Sequence, residues 1–231
     1  MNTARQPETP LVAAAVTAPA RRRRRGPALV VTVAIVFAAA VAATVVFATW
    51  TPAGTTIDLG GHRVALDPGD LPDAHDRARQ DAADSGQGRF EIPSVGLNVP
   101  LGALNEVDGV ITPPGFTSVY LVRNRGVDTA HAATGTVFVV THSLRGGGKA
   151  PGNYLIDVRH GTAAVADGAT VIVDGVHYTV DDSGAVDKPR LADDAAVWAN
   201  TPDRLVIITC LQVPAGTASV DNLVITATRR P

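Results

Sequence analysis

The chain has 231 residues, room for one ordinary globular domain plus accessory segments. Its 20 Lys and Arg against 22 Asp and Glu leave a net charge of −2, but residues 1–26 hold six arginines and one glutamate, so they carry +5 and the remainder −7. An acidic body of this kind excludes nucleic acid as the main partner, because phosphate neutralisation needs clustered Lys and Arg.

Residues 1–26 read as a disordered cytoplasmic tail, rich in Ala, Thr and Pro and closed by the run Arg21 to Arg25. Residues 27–50 then contain no charged side chain. At about 1.5 Å per residue they reach about 35 Å as a helix, enough to cross the ~30 Å hydrocarbon core of a bilayer. Arginines on the N-terminal side alone predict a cytoplasmic N terminus and an external C terminus. Trp50 stands where an interfacial anchor belongs. A cleaved signal peptide is the competing reading, with small residues at 38–43 or 47–49 serving the peptidase. The apolar stretch of such a peptide usually runs about 7–15 residues, so a retained single-pass anchor in the cell membrane is expected.

Residues 51–88 mix Gly, Pro, Asp and Arg with little periodicity and read as an extracellular stalk or linker. A small hairpin fits 56–58 and 63–66 around Gly60-Gly61. From Arg89 onward short apolar runs alternate with Gly, Pro, Asn and Asp, and residues 89–231 read as the folded domain. Strands are predicted over 89–92, 97–101, 118–122, 136–141, 170–173, 177–180, 204–209 and 222–228. Asp174-Gly175 between two of them is a two-residue hairpin signal. A short helical turn is predicted over 193–199, and no long amphipathic helix. Short strands at this spacing indicate an all-β domain, a closed barrel or a sandwich. Aromatic residues make up only 4% of the chain, so Val, Ile and Ala must fill its core.

The chain has one cysteine, Cys210, so no internal disulfide can form. A lone thiol is as often packing as chemistry, and the neighbours decide. Val206-Ile207-Ile208 runs directly into Thr209-Cys210, which places the thiol at the end of a buried strand. Val137–Val140 runs likewise into Thr141-His142-Ser143, with the flexible Gly146-Gly147-Gly148 behind it. Two buried strands thus each deliver one reactive side chain at the same kind of boundary. A Cys–His pair can form a thiolate, or let the imidazole take the thiol proton and later protonate a leaving amine. His131 and His160 are the rival histidines.

These residues resemble the sortase family. Residues 90–101, Phe-Glu-Ile-Pro-Ser-Val-Gly-Leu-Asn-Val-Pro-Leu, look like its opening strand pair. Thr141-His142 resembles its histidine segment, and residues 204–210, Arg-Leu-Val-Ile-Ile-Thr-Cys, its strand ending in Thr-Cys. Gly168 to Gly175 is similar to the stretch between them. The match covers roughly residues 89–228 in the right order, and Pro113-Pro114-Gly115 with Val119-Tyr120 looks most like the class F or class E forms. The resemblance implies a closed eight-stranded β-barrel with short helical turns. It also implies a membrane-anchored cysteine transpeptidase that forms a thioester on Cys210, with His142 as acid and base. The partners implied are surface proteins bearing a Leu-Pro-x-Thr-Gly-like sorting signal, and an amine of a cell-wall precursor or pilin as acceptor. No cofactor or metal is implied for the chemistry, although calcium modulates some relatives.

One position departs from the family. Sortases carry an arginine at the start of the last strand, where it orients substrate and holds the oxyanion, and residues 211–228 contain none. Asn222 is nearest in register and can donate from its amide. Arg145, behind His142, can reach in from another direction, whereas Arg229 and Arg230 fall at the far end of the strand. The missing arginine favours an alternative, a sortase-shaped binding module without catalysis. Other wall cysteine enzymes fit less well: papain-like and NlpC/P60-like enzymes place Cys before His, and the L,D-transpeptidases expect Ser-x-Gly-Cys and a following Arg.

Overall fold

The computed structural model describes residues 54–67 and 69–231. The segment 27–50, expected to span a membrane, and the basic tail before it lie outside the described residues. Among the described residues no helix is long and apolar enough to cross a membrane. In chain order, β1 (Thr55–Ile57) and β2 (Arg63–Ala65) form a hairpin, followed by a short helix, Ala74–Arg79. Then come β3 (Arg89–Ile92), β4 (Leu97–Leu104), β5 (Val119–Gly126) and β6 (Thr136–Val140). A second small hairpin, β7 (Ile156–Asp157) and β8 (Thr162–Ala163), precedes β9 (Thr170–Val173), β10 (Val176–Asp187), β11 (Arg204–Cys210) and β12 (Asp221–Arg229).

Eight strands close into a barrel in the order β10-β12-β11-β6-β5-β4-β3-β9. The domain is therefore all-β, as the strand pattern implies, and closed, as the resemblance implies. Two seams are parallel, β4–β5 and β6–β11, and both need the long connections that the sequence places there. Asp174 and Gly175 both have positive φ, 49° and 76°, the backbone that a two-residue primed turn requires between β9 and β10.

Three local features differ from the sequence-based expectation. Strand β10 runs twelve residues, since a bulge between Val180 and Asp182 lets it leave β9 and continue along β12. A further four-residue helix, Lys188–Leu191, has Pro189 in its first turn, and the turn predicted over 193–199 follows it, with Trp198 N donating to Asp194 O at 3.1 Å. The Asp194 side chain caps that turn, accepting from Ala196 N at 3.0 Å and Val197 N at 3.1 Å. In residues 54–88, expected as a stalk, Ala83 exchanges two backbone hydrogen bonds with Ala103, and Leu59 N donates to Lys149 O at 2.8 Å. Leu66 is buried against Phe116, Leu144 and Ala150.

The core has two layers, one on each side of the sheet. Val137 and Val139 of β6 and Leu205 and Ile207 of β11 point into the barrel with Phe90, Leu101 and Ile225. Phe138 and Val140, with Val206 and Ile208, point the other way, beneath Val197 and Trp198. That is why these two strands read as continuous apolar runs: both faces are buried, so alternation is lost. Each such Val or Ile contributes about 1.5–3 kcal/mol relative to exposure.

Candidate active site

The site follows from the period of β11 and β6. Side chains alternate along a strand, so Val206, Ile208 and position 210 share the outer face, as do Phe138, Val140 and position 142. The two strands run parallel, with Ile208 opposite Val140, and Thr141 N donates to Ile208 O at 3.1 Å one step beyond. Cys210 and His142 therefore leave adjacent strand ends on the same face. The covering layer stops short of them. What remains is a cleft of about 550 Å³ that both residues line, over Val140 and Ile208. The connection between β10 and β11 supplies Leu191, Ala192 and Trp198 as one wall. Trp198 is fixed by its Nε1 donating to Leu191 O at 2.6 Å and by the Arg125 guanidinium 4.9 Å above its ring.

His142 is buried, at 8% exposure. Its Nε2 lies 2.9 Å from Pro113 O. A carbonyl only accepts, so Nε2 carries the proton and Nδ1 the lone pair. Phe116 stacks on the ring, centroids 4.5 Å apart and planes 22° apart. Burial holds the imidazole below its ordinary range, opposed by the Pro113 carbonyl and Asp70, while Lys188 adds to the depression. The ring is thus neutral near pH 7. It makes no hydrogen bond to Cys210, which is half-buried and is the one free thiol. Gly152 N donates to His142 O at 2.9 Å, and the approach is so close that a Cβ at 152 would lie 2.6 Å from that oxygen. Only glycine fits there.

Asn222 is directly opposite Cys210 in the β11–β12 ladder and lines the same cleft. Cross-strand partners of this kind have Cβ atoms about 4.5–5.5 Å apart. Arg145 also lines the cleft, but its guanidinium is committed: it bonds Asp67 and donates to Gly216 O at 3.2 Å. Its charge is already countered. The structure therefore brings Cys210, His142, Asn222 and Arg145 to one cleft, and leaves Asn222 the less engaged donor.

The rival histidines stand elsewhere. His131 and His160 are exposed and each pairs with the aspartate three residues earlier, Asp128 at 2.6 Å and Asp157 at 2.7 Å. Arg229 bonds Asp203 and Arg230 bonds Thr179, at the other end of β12. Sequence reasoning missed Pro113, Phe116 and the segment carrying Asp67 and Asp70, which lines the cleft. The contacts of Pro113 and Phe116 with His142 cross a long connection, and no periodic signal marks them. The mixed polar texture of 51–88 gave no sign of contact with the barrel.

No protein-family model matches the chain, and no curated protein matches it in sequence. Solved structures similar to it include sortase A of Listeria monocytogenes, at 18% identity and a TM-score of 0.46 over 64% of this chain and 89% of that one. Sortase C1 of Streptococcus suis matches at 15% identity and a TM-score of 0.47, over 68% of this chain and 79% of that one. Sortase C-1 of Actinomyces oris matches at 16% identity and a TM-score of 0.45, over 70% and 84% respectively.

Proposed function

We propose that this chain is a sortase-type cysteine transpeptidase of the class F or E kind. In this reading it is held at the outer face of a cell membrane by residues 27–50. The observation that carries the reading is the delivery of Cys210 and His142 into one cleft by the parallel pair β6–β11. The ordered motifs over residues 89–228 support it.

The chemistry starts from a thiol and a neutral imidazole. A backbone carbonyl of a sorting-signal peptide lies over Cys210, and Sγ attacks it as the thiol proton passes to Nδ1 of His142. The imidazolium keeps Nε2–H on Pro113 O, and the Phe116 ring faces the new cation. The leaving amine takes the proton from Nδ1 as the C–N bond breaks, leaving a thioester on Cys210. An amine of a cell-wall precursor or pilin then attacks the thioester and releases the thiol. Asn222, opposite Cys210, donates to the oxyanion in place of the family's arginine. No cofactor takes part.

A Leu-Pro-x-Thr-Gly-type peptide vinyl sulfone, applied to membranes holding the full chain, tests this. Labelling is expected on carbonate-washed membranes for the wild type, lost in Cys210→Ala and reduced in His142→Ala. Asn222→Ala is expected to slow thioester formation on a substrate peptide by about 10²-fold, the usual cost of one oxyanion donor. Equal labelling of wild type and His142→Ala removes the pair from consideration. A fall in Arg145→Ala with none in Asn222→Ala moves the oxyanion role to the arginine.

A further inference from the structure

The β6–β11 ladder ends at Thr141 N to Ile208 O, one residue before His142 and two before Cys210. Something other than the ladder must hold the two chain ends together where the reactive side chains leave them. Ser143 Oγ lies 2.5 Å from Cys210 O and donates to it, so its one proton is spent there. Gln212 Nε2 then donates to Ser143 Oγ at 3.0 Å and to Ser143 O at 3.3 Å. Both partners are acceptors, which fixes which end of the amide faces them. Gln212 sits two residues after Cys210 and Ser143 one residue after His142. Both are buried, at 7% and 8% exposure.

Gln212 Oε1 is buried without a partner. An orphaned buried acceptor costs about 1–3 kcal/mol, and an apolar residue of the same shape avoids that cost. A polar group kept at such a cost beside a reactive thiol points to function.

We infer that Ser143 and Gln212 form a clasp that continues the β6–β11 register past its last ladder bond and sets the separation of Cys210 from His142. The inference rests on the proposed Cys–His pair. Both line the cleft, but their polar groups are turned to the chain itself, so they act as positioning residues through the Cys210 carbonyl and the backbone at 142–143. Gly152 N on His142 O anchors the other side of the histidine, and the clasp links the two strand ends directly beyond the ladder. The charged groups that act on the imidazole are Asp70 and Lys188, and neither belongs to the clasp.

The chain's single cysteine makes the test direct, since alkylation of the full chain by iodoacetamide reports Cys210 alone. The second-order rate is measured from pH 5 to 9 with the thermal midpoint of each variant; these limits simply span roughly the His and Cys titrations. Gln212→Met keeps the volume and removes the donor. Ser143→Ala removes the hydroxyl, and Ser143→Thr keeps it. Gln212→Met and Ser143→Ala are expected to slow alkylation near neutral pH about tenfold, the equivalent of one hydrogen bond, and to displace the pH profile toward that of His142→Ala. Ser143→Thr is expected to restore the wild-type profile. If His142→Ala changes the profile and folded Gln212→Met follows the wild type, the clasp is overturned and the pair stands. If His142→Ala itself follows the wild type, the pair falls and the clasp with it.

Discussion

His142 is neutral because it is buried, and that has a consequence for stability as well as for chemistry. Its protonation is resisted in the folded chain and not in the unfolded one. Above about pH 6.5, the ordinary histidine value, both states are neutral and the residue contributes no pH dependence. As pH falls through that value the unfolded chain takes up the proton first, so the folded state loses stability. Urea midpoints at pH 7.5 and 5.5 (roughly one unit either side of the ordinary value) are expected to fall further in the wild type than in His142→Gln; equal falls overturn the assignment. At this scale the sequence was informative about residues that end a buried run. Cys210 and His142 were legible because Val206–Ile208 and Val137–Val140 point at them, and Asn222 because it stands at the start of the last strand, where the resemblance expects an arginine. Ser143, Gln212, Pro113 and Phe116 were not, since each acts through a hydrogen bond or a stack between loops far apart in the chain.

Among the elements, β6 and β11 carry the most structure per residue, buried on both faces and paired parallel at the centre of the barrel wall. Ile207 is 1% exposed and faces the interior. Ile207→Ala is expected to cost about 2–5 kcal/mol, the usual range for a cavity of that size, read as a lowered urea midpoint at unchanged slope. A loss under about 1 kcal/mol contradicts the two-layer packing. Strands of this kind announce themselves. Strand β10 did not beyond Val180, because Asp181 to Asp187 is mostly exposed and held to β12 through its backbone. The same holds for residues 54–88: Asp58 is a buried carboxylate accepting from Gly60 N, His62 N and Lys149 N, yet in sequence it is one more polar residue in a mixed stretch.

For the barrel as a whole, closure is uneven. Nine register pairs join β10 to β12, while only two, Phe90 with Val173 and Glu91 with Ile172, join β3 to β9. Opening is expected there first, so amides shared between β3 and β9 should exchange with deuterium before those of β11 and β12. Slower exchange at β3–β9 than at β11–β12 contradicts this. Strand number left a barrel or a sandwich open and the resemblance implied the closed form, but its weakest seam depends on how far each strand overlaps its neighbour, which composition does not encode. Closure also bears on how this chain can change length. A barrel strand has no free edge at which a surplus residue can be shed, so an insertion within Arg204–Cys210 must be absorbed along the strand. One added residue turns the thiol into the barrel or reverses Leu205 and Ile207, whereas two restore every side chain to its face. The spacing from the start of β11 to the thiol therefore tolerates even steps within regular pairing, whereas a single added residue needs a bulge of the kind that β10 has between Val180 and Asp182.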